Sequence, residues 1–310
     1  MSEKNIALLK ETLSIINRGY YYSDEAKVTL QLTKVQMQQA YVILPDEIQQ
    51  MGNSKIRRTI YNQGRCSIEC LNMDSLSAAR RQYKDYMQTF THSDKPVLVL
   101  NFASPLKPGG GVWTGAKSQE QDLCHKSSLL LSLESDPSKK FYNYHHNLRT
   151  YLASDAMIIS PQVEIIRDEN DKLLKNMTDT VAVLTCSAPM VTDDLYGMSN
   201  EQYQDILFQR IANIFKCAAH FGYDHLVLGA WGCGAFGNDP EVVAGLFYKA
   251  MTESTYDGRR IFQLFRKIDF AVLDKTPSKQ FYRIFRRYFT SESFYKYLKT
   301  ERDTVELDKL

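Results

Sequence analysis

No stretch of this 310-residue sequence approaches the roughly 18 to 20 apolar residues of a membrane-spanning helix. The opening, MSEKNIALLKETL, sets charges where a secretory signal needs an apolar core. Charge of one sign is lacking too: 38 Lys plus Arg stand against 36 Asp plus Glu, a formal net charge of +2. That balance excludes a general sheath of positive charge for nucleic acid, though not a local basic patch. Cysteine is sparse. Cys66, Cys70, Cys124, Cys186, Cys217 and Cys233 are scattered through a chain too large to need disulfide staples. There is no internal repeat and no long Pro/Ser/Gly linker. The chain is therefore expected to be reduced, cytoplasmic and monomeric, with no membrane or nucleic-acid partner.

What is present is a regular alternation of patterns. Ile6, Leu9, Leu13 and Ile16 recur near helical spacing, with Gly19 as the stop. Val28–Leu32 alternates as an edge strand does. CSIECL reads as a strand leading through Asn72-Met73-Asp74 into a helix from about Ser75 to Thr89. Val97–Ala103 is an almost continuous apolar run, as in a strand covered on both faces. Val181–Ala188, His225–Ala230 and Ile268–Asp274 read as further strands. Helices are expected at about Glu201–Phe221 and from Pro240 onward. The segment Ile158–Leu174, with DENDK in its middle, reads as a hairpin inserted on the surface. Strands alternating with helices predict an α/β chain with a mixed or parallel sheet.

In open α/β sheets ligands sit at the carboxyl ends of strands, and two glycine-rich loops lie at such ends. ASPLKPGGGVWTGAKSQEQ (Ala103–Gln121) follows Val97–Ala103, and a helix begins near Gln119. Three consecutive glycines let backbone N–H groups approach a ligand closely, and a helix start favours an anion. GAWGCGAFGNDP (Gly229–Pro240) puts four glycines and Phe236 before the second helix. Turn chemistry alone explains either loop, but the pair points to a phosphate-bearing ligand. Neither is a phosphate-binding Walker loop, since no GK[ST] follows. GCGAFG is a poor dinucleotide fingerprint, because the acidic residue expected about 20 positions on falls in a helix, at Glu253.

The segment NFASPLKPGGGVWTGAKSQEQDLC resembles the signature of the bacterial-type poly(ADP-ribose) glycohydrolases, a branch of the macrodomain fold. LGAWGCGAFGNDP is similar to that family's diphosphate loop. IECLNMDSLSAA, SDAMIISPQVEIIRDENDKLL and VAVLTCSAP resemble further family segments, in the same order, from about residue 5 to 285. The resemblance implies a three-layer α/β/α sandwich with a mixed sheet and an N-terminal helical extension. It implies residues 1–90 as extension, 91–290 as core and 291–310 as a tail. ADP-ribose or an ADP-ribosylated protein is the implied partner, with no cofactor and no metal. Gly109, Gly110 and Gly111 would surround the ribose at the scissile bond, with Asn101, Val112 and Gln119 beside them. Gly232, Cys233, Gly234, Ala235, Phe236, Gly237 and Asn238 would hold the diphosphate and pack on the sugar or base. Glu120 matches the family's first signature Glu, which holds a ribose hydroxyl.

The second signature Glu, the family's proton donor and water activator, is Gln121 here. An amide does not supply that proton near neutral pH, and general acid–base help is worth about 10²- to 10⁴-fold. Three readings follow: a binder that does not cleave, a substitute acid at Glu120 or Asp122, or a different leaving group. Adjacent helical residues diverge by about 100°, which favours Glu120. Asp122 also reads as a first-turn acid facing the helix dipole. The missing carboxylate favours mono-ADP-ribosyl or altered-linkage substrates over polymer.

Other candidates have plain structural readings. His125, His145 and His146 lack metal-ligand spacing, and Cys66 and Cys70 form a C-x₃-C without a second pair. Cys233 has no identifiable partner base, so it reads as a small packing thiol. Phe281, Ile284, Phe285 and Tyr288 make a core-facing stripe, with Arg283, Arg286 and Arg287 on other faces. That basic helix is the one argument for a third reading, processing of nucleotide sugars or ADP-ribosylated nucleic acid. Ser291–Leu310 carries no assignable role.

Overall fold

The computed structural model describes residues 2–51, 66–88 and 95–296. Seven strands form one sheet: β1 (Tyr41–Ile43), β2 (Ser67–Leu71), β3 (Leu98–Phe102), β4 (Met157–Ile165), β5 (Asp179–Cys186), β6 (His225–Leu228) and β7 (Lys267–Ala271). Their spatial order is β1-β4-β5-β3-β6-β7-β2. Pairing is parallel from β5 through β3, β6 and β7 to β2, whereas β4 runs antiparallel to both β1 and β5. The sheet is therefore mixed.

Residues alternate between two helical layers because a strand turns successive side chains to opposite faces. Leu98, Leu100, Leu226, Leu228, Ile268 and Phe270 face one buried cluster. Helices α4 (Asn200–His220), α5 (Pro240–Glu253) and α6 (Gln280–Tyr288) cover that cluster. Val97, Val99, Val181, Val183 and Val227 face the other, beneath α1 (Glu3–Arg18), α2 (Ser75–Gln88) and α3 (Gln119–Lys126). This is the macrodomain-like three-layer α/β/α sandwich, with the N-terminal helix in place. Local chemistry sets the helix ends. Gly19 closes α1 at φ 78°, Ser199 and Gln202 form a capping box on α4, and Asp239 caps α5 with Pro240 at its first position. Among the described residues no helix is long and apolar enough to cross a membrane.

Two sequence expectations are corrected. Ile158–Leu174 is not a surface hairpin, because its first half lies in β4 and is fully buried at Ile158, Ile159, Val163 and Ile165. A register shift between Ser160 and Val163 breaks the alternation that would mark a strand. Only the turn is real, with Arg167 bridging Leu173. Val28–Leu32 does not edge the main sheet, since Ala26–Thr29 pairs with Tyr20–Ser23 as a separate hairpin. β1 and β2, from the expected N-terminal extension, supply the two edges of the sheet. Residues 291–296 are helical, and Phe294 is fully buried against Tyr248 and Phe262. The rest of the expected tail lies outside the described residues.

Candidate functional site

Five parallel strands end on one side of the sheet, and the loops that leave them enclose a cleft of about 1280 Å³. That exceeds the usual volume of a small-molecule pocket, roughly 300 to 1000 Å³, and accommodates a dinucleotide-sized ligand.

The first glycine loop leaves β3 and returns into α3. Gln119 makes the return rigid: its Oε1 accepts from the Phe102 backbone N–H at 2.9 Å and its Nε2 donates to the Leu100 carbonyl at 2.8 Å. The side chain thus hydrogen-bonds the end of β3 much as a neighbouring strand does. Gly109 and Gly110 adopt left-handed backbone, φ 65° and 57°. A Cβ on Gly110 would lie 2.7 Å from Gln121 Nε2 and 3.0 Å from Glu120 Oε2. The loop is braced from outside by the start of α1, where Asn5 Nδ2 donates to the Gly115 carbonyl at 3.2 Å.

Glu120 is 1% exposed. Its Oε2 accepts from the Ser104 N–H at 2.9 Å and its Oε1 from Asn101 Nδ2 at 3.3 Å. Burial pushes its carboxyl up to about 8 from the usual 4.5, against the opposing pull of the bonds from Ser104 and Asn101. Near neutral pH it is mostly a carboxylic acid. Gln121 is committed at both ends: its Nε2 donates to the Gly109 carbonyl at 2.9 Å and its Oε1 accepts from Ser118 Oγ at 2.5 Å. Asp122 is paired with Lys126 at 2.8 Å. Burial raises its pKa and the lysine opposes that shift.

The second loop leaves β6. Trp231 is fully buried and donates from Nε1 to the Cys186 carbonyl at 3.0 Å. Gly232 sits at φ 77°, where a Cβ would meet that of Ala188 at 2.7 Å. Asn238 is a brace: its Nδ2 donates to the carbonyls of Pro189, at 2.9 Å, and Gly232, at 3.1 Å, while its Oδ1 accepts from Tyr203 at 2.9 Å. Gly234 is open, with nothing within 4 Å of an added Cβ. The Cys233 thiol is buried and pushed up to about 12, so it is a neutral packing group.

Of the residues singled out from sequence, the structure brings Gly110, Gly111, Gln119, Glu120, Gln121 and Asp122 to the cleft wall, facing Gly232, Gly234, Ala235 and Phe236. Asn101, Gly109, Val112, Cys233, Gly237 and Asn238 are not among the lining residues. Sequence reasoning missed Asp74, Ser104, Lys107, Trp113, Glu134 and Lys275, which also line it. Ser104, Lys107 and Trp113 lie inside the signature loop, and Asp74 and Lys275 follow strand ends, so the strand-end rule marks their loops. Glu134 carries no such signal. His145 is structural: it contacts the Phe141 carbonyl at 3.0 Å and Ser154 Oγ at 2.9 Å, and burial lowers it to about 4. Among the described residues no cluster suits a metal ion.

Residues 9–168 match the family described as microbial-type PARG, catalytic domain. The chain belongs to that family. Poly(ADP-ribose) glycohydrolases of known structure align over 82% to 93% of it. The poly(ADP-ribose) glycohydrolase of Thermomonospora curvata is 32% identical, covers 92% of this chain and 99% of its own, and superposes with a TM-score of 0.81. The same organism's enzyme bound to the inhibitor ADP-HPD covers 93% and 100% at 32% identity and a TM-score of 0.79. The Deinococcus radiodurans enzyme in complex with ADP-ribose is 30% identical, covers 82% and 94%, and gives a TM-score of 0.69. No curated protein matches the chain.

Proposed function

We propose that the cleft binds ADP-ribose and that the protein hydrolyses the glycosidic link between a single ADP-ribose and a protein side chain. The observation that carries this reading is Glu120, a carboxyl on the cleft wall that is 1% exposed and held by Ser104 and Asn101, and whose burial pushes its pKa up to about 8. The ADP-ribose complex of the Deinococcus relative supports the ligand. Three exposed lysines on the cleft wall, Lys107, Lys117 and Lys275, supply positive charge toward a diphosphate, and the two glycine loops supply close backbone approach.

For an oxygen-linked substrate Glu120 gives its proton to the leaving oxygen as the C1″–O bond breaks and its electron pair goes to that oxygen. Water then bonds to C1″ and returns a proton to the Glu120 carboxylate. The products are ADP-ribose and the free side chain. Incubation with arginine-, glutamate- and serine-linked mono-ADP-ribosyl proteins and with polymer tests the reading: release of ADP-ribose from a mono-linked substrate supports it.

A second reading, an ADP-ribose binder that does not cleave, is favoured by Gln121. Its amide is tied to Gly109 and Ser118 and has no proton to transfer. Release from a mono-linked substrate by the parent separates the two, and Gln121→Glu tests what the departure at 121 removes. A protonated carboxyl keeps the bond to Gly109, so the variant folds and gains polymer hydrolysis by about 10² or more. ADP-ribose release from polymer, compared in parent and variant, is the check.

A further inference from the structure

The carboxylates of the cleft are not equivalent. Asp74 caps α2, its two oxygens accepting from the Ser77 N–H at 3.0 Å and Ser77 Oγ at 2.7 Å. Asp122 is neutralised by Lys126. Glu134 has neither kind of partner. Its one hydrogen bond comes from the Trp113 indole, Nε1 to Oε1 at 3.1 Å, and it has no ion pair among the described residues. Trp113 is 49% exposed, whereas the chain's other tryptophan, Trp231, is fully buried. An indole pinned by its edge to a carboxylate, with half its surface open to solvent, is a cation receptor: a π face beside a negative charge.

The position of this pair relates it to the signature loop. Trp113 lies two residues beyond Gly111 on the signature loop. A Cβ on Gly109 would touch Leu130 at 3.1 Å and Cys124 at 3.3 Å, so the loop packs on the helix Leu129–Leu133 that Glu134 ends. Glu120 and Glu134 are both near enough to Cys124 and Tyr142 to add, after burial, to the upward shift of each. Trp113 and Glu134 line the same cleft as Glu120, on the signature loop and at the end of the helix on which that loop packs.

We infer that Trp113 and Glu134 form a leaving-group subsite for a guanidinium, so that the substrate class is arginine-linked ADP-ribose. The inference rests on the cleft reading above and explains the departure at Gln121. An arginine conjugate already carries its positive charge on the leaving group. When the C1″–N bond breaks, the electron pair goes to nitrogen and the side chain departs as a neutral guanidine, with no proton needed from the enzyme. Water bonds to C1″ and loses one proton, which the guanidine takes up, so the charge of substrate and products balances. An acid at position 121 has no task in that sequence.

The test is calorimetric titration of the unmutated protein with carbocyclic analogues of the conjugates, in which carbon replaces the ribose ring oxygen, so that no oxocarbenium forms and the conjugates survive. Free ADP-ribose and the analogues of ADP-ribosyl-arginine and ADP-ribosyl-serine are compared. The arginine conjugate is expected to bind about 10-fold tighter than free ADP-ribose and to quench Trp113 fluorescence, with no such gain for serine. Adding Glu134→Gln or Trp113→Ala, both at exposed positions, brings the arginine-to-ADP-ribose affinity ratio close to one. Equal affinities for the two conjugates, or a ratio that survives both substitutions, overturn this inference and leave the cleft reading standing. Failure of free ADP-ribose to bind the unmutated protein overturns both.

Discussion

Replacing Glu120 by Gln lowers ADP-ribose release from an oxygen-linked conjugate by about 10²- to 10⁴-fold, with the loss expressed far more in kcat than in binding. The reason is that the cleft wall has one carboxyl that is both buried and protonated near neutral pH. Gln121 has no proton to give, and Asp122 is tied to Lys126. The parent's activity falls as pH rises through about 8, where the acid form of Glu120 disappears. The variant's residual rate shows no such step. Stability moves with the same proton. From the ordinary carboxyl value of 4.5 up to about 8, the unfolded chain has lost the proton that the folded chain still holds. Folded-state stability therefore drops with pH across that window and levels off above it. Melting curves at pH 5 and pH 9 check the sign: Glu120→Gln should gain on the parent as pH rises.

Gly110→Ala is expected to weaken ADP-ribose binding by about 100-fold or more. Two effects combine. A left-handed backbone costs an L-residue roughly 1–2 kcal/mol, and Gly110 sits at φ 57°. The added Cβ would also press on Gln121 at 2.7 Å and Glu120 at 3.0 Å. Neither can yield freely, because Gln121 is held by Gly109 and Ser118 and Glu120 by Ser104 and Asn101. Gly234→Ala is the comparison: its Cβ meets nothing in the protein, so folding is spared. Any loss of affinity there reports the close approach of ligand. Calorimetry on both variants, with melting temperatures alongside, separates loop strain from ligand crowding.

The two helical layers and most strands were legible because their apolar spacing is set by the layer each face meets. Val97–Ala103 reads as a buried strand for this reason, and β3 occupies its centre. β1 has only three residues, too few to show a period. β4 was hidden by the irregularity at Pro161-Gln162, which interrupts alternation without ending the strand. At the site, glycine spacing and the signature identified the loops, yet not which residues touch ligand space. The place of Asn238 in the loop does not reveal that its side chain braces the loop through backbone carbonyls and Tyr203. Glu134 is invisible in sequence because folding alone brings it beside Trp113, 21 residues away.

The proposed function requires that one ADP-ribose occupy the cleft between the two glycine loops. Calorimetric titration of the unmutated protein with ADP-ribose tests it most directly. Saturable binding of one ligand per chain at micromolar concentration is expected, lost in Gly110→Ala. An absence of binding at millimolar ADP-ribose, or binding that Gly110→Ala leaves intact, would contradict it.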